Sequence, residues 1–147
     1  MILLNQLDLR WAKLTLTPSK LTVGRYGCTT TATCMLSDYF GEFTLPSVAA
    51  GHQIQYNSAG LILWDKINFK NFAFKTRFYG FEKDTIDDAI KNPDKAVILE
   101  VNHSHWVVAT GQGFFGDYAI ADPWGGIKTT LRGKGYTITG GAVFIRK

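Results

Sequence analysis

From Cys28 to Phe40 the positions Cys28, Ala32, Met35, Leu36 and Tyr39 recur at helical spacing, and Gly41 stands where a helix C-terminus favours glycine. The pattern predicts a helix with Cys28 at the head of its buried stripe. Phe43 to Ala50 reads as a short connection into a second helix, and Gly51 and Gly60 break the segment after it. Aromatic residues dominate 61–82, where Phe72 and Phe74 alternate with polar neighbours as in a strand. Asp84 to Lys91 offers an N-cap, acidic residues in its first turn and a stop before Pro93, which together predict a short helix.

Ala96 to Val101 is an apolar run interrupted only by Glu100, as in a central strand. His105–Thr110 and Tyr118–Ala121 read as two more strands, separated by the turn-like Gly111-Gln112-Gly113 and Gly116-Asp117, and Ala142–Ile145 as a last one. One helix followed by several neighbouring strands predicts an α+β fold, an antiparallel sheet packed on the cysteine-bearing helix. Residues 1–27 are polar and irregular and read as an N-terminal arm anchored by Trp11. There are no internal repeats.

With 147 residues the chain fits one domain, 1–147, with room for a hydrophobic core that needs no disulfide or metal. The composition, 46% hydrophobic with 15 glycines and four prolines, is that of a loop-rich globular protein. Net charge is +4 with the basic residues dispersed, so neither a nucleic-acid tail nor nucleic acid as partner is expected. No segment has the pattern of a signal peptide or the roughly 20 apolar residues of a membrane span. The expectation is a soluble protein from a reducing compartment, without a membrane partner. Cys28 and Cys34 lie six apart, a step of about 240° around a helix, which argues against a disulfide between them.

The candidate chemistry centres on Cys28. A cysteine at a helix N-terminus faces the positive end of the helix dipole and unpaired backbone N–H groups, which favour thiolate over thiol. Thiol catalysis also needs an imidazole and a group that orients it. His105 opens a strand and Asp122 ends the next, so an antiparallel pairing would bring the carboxylate beside the ring. Each residue has a plainer reading: buried small hydrophobe for Cys28, strand terminator for Asp122-Pro123. His103 and His105 form a His-x-His pair, yet no third metal ligand stands at convincing spacing, so neither a metal nor another cofactor is expected. The aromatic and basic stretch from Trp64 to Phe81 suits either a stacking surface for a glycan or single-stranded nucleic acid, or core packing with lysines at the rim. Core packing is the favoured reading.

In motif order the chain resembles the C39-like peptidases, a branch of the papain-like cysteine proteases, over almost its whole length. The resemblance lies in Gln6-x-Asp8-x-Arg10-Trp11, in Gly27-Cys28 with Thr31 and Met35 in the helix, and in the small helix and apolar strand before His105-Trp106-Val107-Val108. It ends with the strand Ala119-Ile120-Ala121 running into Asp122-Pro123-Trp124-Gly125. It implies a papain-like fold, with Cys28 as nucleophile, His105 as general acid and base, and Asp122 orienting the imidazole. Papain-like enzymes place an oxyanion-binding glutamine a few residues before the cysteine. Leu21 to Tyr26 holds none, and Gln6 is the remaining side-chain candidate. Thr29 stands where leader peptidases of the group carry glycine, so leader processing is not implied.

The implied function is a cysteine hydrolase acting on an amide through an acyl-enzyme, with a peptide, a protein or a cell-wall peptide as substrate. The alternatives are acyl transfer by the same residues and a catalytically silent module for binding or structure. Similar compact domains are common in bacteriophage and bacteria, which implies a cytoplasmic or virion-associated setting.

Overall fold

The computed structural model describes all residues, Met1–Lys147. Helices α1 (Val23–Tyr26), α2 (Cys28–Tyr39) and α3 (Pro46–Ala49) come first, then strand β1 (Phe72–Tyr79), helix α4 (Lys83–Lys91) and strands β2 (Lys95–Val101), β3 (His105–Gln112), β4 (Tyr118–Asp122) and β5 (Ile127–Thr130). Helix α5 (Leu131–Lys134) and strand β6 (Ile138–Arg146) close the chain. The six strands form one sheet in the order β1-β6-β2-β3-β4-β5, every pairing antiparallel. The fold is therefore α+β, and no helix is long and apolar enough to cross a membrane.

Alternation along the strands gives the sheet two apolar faces, each covered. On one face Ile98, Val108, Ala121 and Phe144 join α2 through Ala32, Met35 and Leu36. On the other, Val97, Leu99, Val107 and Ile120 join α4 through Ile86 and Ala89. The second layer accounts for Asp84–Lys91, whose sequence pattern shows a helix but not its place.

Two expectations need correction. The N-terminal 27 residues are not an arm laid over the domain: Leu4, Trp11, Leu16 and Val23 belong to the core, and the segment includes α1 and a bridge between Thr15 and Thr22. Their apolar positions follow no period because the backbone turns repeatedly, and Trp11 is fixed by its indole N–H donating to the Asn5 carbonyl at 2.9 Å. Of the two turn signals expected after β3, Gly116-Asp117 lies in the observed reversal, whereas Gly111-Gln112 does not. β3 continues to Gln112, past a register shift between Ala109 and Gly111, and the chain reverses at Gly113–Asp117.

Helix α2 is buried along nearly its whole length, Thr30, Thr31, Thr33 and Ser37 included. Three of these hydroxyls donate to carbonyls of the preceding turn, Thr31 to Gly27, Thr33 to Thr29 and Ser37 to Cys34. Such back-bonding allows polar residues inside a core.

Candidate active site

Gly27 joins α1 to α2 and has an ordinary φ of −90°, so a close approach, and not backbone conformation, requires glycine there. A Cβ would lie 2.5 Å from the Val23 carbonyl oxygen and 2.7 Å from its Cα. The Gly27 N–H donates to that carbonyl at 2.7 Å, and its own oxygen receives the Thr31 N–H at 2.9 Å. This junction sets Cys28 as the first residue of a 12-residue helix, at the wall of a cleft. Cys28 is 8% exposed. Cys34 lies wholly inside, where burial pushes its thiol up; the two are free thiols.

His105 begins β3 opposite Val101 of β2. The intervening turn carries Asn102 and His103 with φ of 53° and 57°, successive left-handed residues of the kind that match the twist of a hairpin. Asn102 exchanges hydrogen bonds with Thr137, and the His103 N–H donates to Thr139 Oγ1 at 3.0 Å, so β6 holds the turn. His103 is thus exposed in a turn, and no group of three His, Cys, Asp or Glu side chains is gathered to hold a metal ion.

The antiparallel pairing of β3 with β4 brings Asp122 to the ring. Its carboxylate is fully buried, and Oδ1 lies 2.7 Å from His105 Nε2 while accepting the Trp124 N–H at 2.9 Å. Oδ2 accepts the Tyr136 hydroxyl at 2.7 Å and stands 3.7 Å from Lys134 Nζ. Asp122 therefore occupies Nε2, and the Cys28 side chain is close enough to the ring to favour its charged form. Burial opposes a charge on His105, but the hydrogen bonds and charges of Asp122 and Cys28 outweigh it and raise the ring to about 9. Burial also opposes ionisation of Asp122, yet the hydrogen bonds from His105, Tyr136 and the Trp124 N–H hold its carboxyl below the usual range. Burial and the Asp122 carboxylate push the Tyr136 phenol up.

The structure thus brings together Cys28, His105 and Asp122. Sequence reasoning missed Tyr136, Lys134 and the Trp124 N–H. Lys134 closes α5, whose start is capped by Thr130 accepting the Gly133 N–H and whose end is marked by left-handed Gly135. Gly135 was the available signal for the helix end, though no pattern says which carboxylate the flanking side chains reach.

Gln6 is 1% exposed and bridges the segments that carry the other groups: its Nε2 donates to the Gly24 carbonyl at 3.2 Å and its backbone N–H to the Pro123 carbonyl at 2.9 Å. Its Oε1 is buried without a partner.

The cleft beside Cys28, about 420 Å³, is lined among others by Tyr26, Tyr56, Trp64, Arg77, Glu100 and Trp106. The aromatic stretch divides: Phe69, Phe72 and Phe78 are core, whereas Trp64 faces the cleft. A second cavity of about 300 Å³, around Met1, Tyr39, Ile90 and Lys128, has no cysteine, histidine or carboxylate in its wall and so lacks the means for this chemistry. No protein-family model, curated protein or solved structure matches the chain.

Proposed function

We propose that this protein is a papain-like cysteine hydrolase, a peptidase or amidase working through an acyl-enzyme. The observation that carries the reading is His105, bound through Nε2 to a buried carboxylate and close to the thiol at a helix N-terminus. The Cys28 sulfur attacks the amide carbonyl carbon, giving a tetrahedral oxyanion. His105, protonated, gives its Nδ1 proton to the leaving nitrogen as the C–N bond breaks, which leaves a thioester on Cys28. The neutral ring then takes a proton from water, whose oxygen attacks the thioester. Collapse expels the thiolate, and the imidazolium is restored. Asp122 stays ionised throughout, fixing the ring orientation and balancing its charge. Tyr136, Lys134 and the Trp124 N–H hold that carboxylate in place.

The Cys28 backbone N–H, at the first helical position, has no intrahelical acceptor and is one oxyanion donor. Gln6 Nε2 uses one of its hydrogens on Gly24, and its second is the side-chain donor assigned to the oxyanion. Gln6→Glu keeps the shape and is expected to lower turnover about 100- to 1000-fold.

The test is iodoacetamide alkylation of the native protein followed by peptide mass spectrometry, with Cys34 as internal control. Cys28 should react much faster than Cys34. His105→Ala should slow it. Slow labelling that His105→Ala leaves unchanged would overturn the hydrolase and leave a binding module.

A further inference from the structure

We infer that the cleft beside Cys28 contains a sugar-binding subsite formed by Trp64, Arg77, Glu100 and Trp106, so that the hydrolysed amide is one carried on a glycan. The substrate part of this inference rests on the hydrolase reading; the subsite does not. All four residues line the same cleft as Cys28.

Arg77 is anchored from behind, Nη1 donating to the carbonyls of Phe78 at 3.0 Å and Gly141 at 2.7 Å. Glu100 is anchored likewise, Oε1 accepting from Thr139 Oγ1 at 2.9 Å. Their facing ends, Arg77 Nη2 and Glu100 Oε2, are 3.8 Å apart, with side chains 16% and 19% exposed. That gap is too long for a direct hydrogen bond and suits a hydroxyl that accepts from the guanidinium and donates to the carboxylate. Donor and acceptor are fixed before a ligand arrives, so little ordering is required of them.

The walls are aromatic. The Trp64 and Trp106 rings lie 5.3 Å apart at 52°, and the guanidinium sits 5.5 Å from the first and 4.8 Å from the second. Half-buried rings beside a neutral donor–acceptor pair match a ligand with an apolar C–H face and a hydroxylated edge. A sugar ring has both. Arg77 is the one cation in the cleft wall and is already paired with Glu100, which leaves no charge for a phosphate backbone. A purely apolar peptide side chain would fill the aromatic space but strip water from Arg77 and Glu100 without replacing it.

The experiment is titration of Cys28→Ala protein with the N-acetylglucosamine trimer, cellotriose and N-acetylphenylalanine amide, read by saturation-transfer NMR and tryptophan fluorescence. At least one sugar should bind with Kd on the order of 1 mM, and Glu100→Gln and Trp106→Phe should each weaken it about tenfold. Thermal melts establish that both variants are folded, and Arg77→Lys stands in for either that is not. The subsite is overturned if neither sugar binds, if the variants bind sugar as well as the parent does, or if the phenylalanine amide binds better and competes the sugar away. Because Cys28→Ala needs no turnover, the two readings fail separately. An unreactive Cys28 with sugar bound removes only the hydrolase; a reactive Cys28 with no sugar bound removes only the subsite.

Discussion

Two carboxylates of this molecule each receive a tyrosine hydroxyl and stand beside a lysine. Asp122 takes the Tyr136 hydroxyl at 2.7 Å with Lys134 at 3.7 Å, and Asp87 takes the Tyr118 hydroxyl at 2.6 Å with Lys83 as its ion pair. Both are buried, and opposing hydrogen bonds hold both below the usual carboxyl range despite that burial. Asp87 sits in α4, four residues after Lys83, and its bond to Tyr118 ties that helix to β4. Asp122 ends a strand and has a further partner, a histidine with a thiol close to its ring. The comparison teaches that a buried aspartate with its tyrosine and lysine is a structural clamp. In the proposed hydrolase, chemistry enters where an imidazole and a cysteine at a helix head are added.

The strongest way to break the comparison is to neutralise each carboxylate and measure acylation by p-nitrophenyl acetate. Asp122→Ala should lower the rate by orders of magnitude, because nothing then fixes the ring or balances its charge. Asp87→Asn should leave the rate within about twofold, since nothing in its surroundings takes part. Equal losses would mean both positions act only through stability.

Stability should reverse the contrast. Asp87→Ala leaves the Tyr118 hydroxyl buried without an acceptor and should cost about 1–3 kcal/mol in urea denaturation, with Cys28 alkylation unaltered. Gly27→Ala should be destabilising by about 1–3 kcal/mol, since its Cβ would press on the Val23 backbone. It should also slow Cys28 alkylation because the helix head moves.

How much the sequence made legible depends on how local each relation is. Cys28 at a helix start, and His105 and Asp122 at facing strand ends, are consequences of periodicity and antiparallel pairing, readable over short stretches. Tyr136 and Lys134 reach Asp122 from beyond β5 through a four-residue helix, and no periodicity encodes that return. Arg77 and Trp106 meet across the sheet from β1 and β3, which are not neighbours. The N-terminal 27 residues resemble an arm because core positions separated by turns carry no period, although Trp11 gives its own anchoring away.

Smaller effects sharpen the distinction. Tyr136→Phe removes one hydrogen bond to Asp122 and should slow acylation about tenfold at unchanged fold, whereas Tyr118→Phe should cost about 1 kcal/mol of stability and no activity. The pH dependence has a definite sign. His105 is raised from 6.5 to about 9, so its contribution to stability is complete below 6.5 and is lost as pH rises through about 9. Asp122 is lowered from 3.8, so its contribution is present above 3.8 and is lost as pH falls through the lower folded value. The melting-temperature difference between wild type and Asp122→Asn should therefore be flat between these limits and shrink outside them.

The most direct test of the coupled Cys28–His105–Asp122 site is a ¹⁵N NMR titration of the His105 ring in wild type and Cys28→Ala. The account predicts a wild-type midpoint near 9, with Nε2 carrying the proton shared with Asp122, and a lower midpoint once the sulfur is gone. A midpoint at the ordinary histidine value of about 6.5 in both proteins would contradict it.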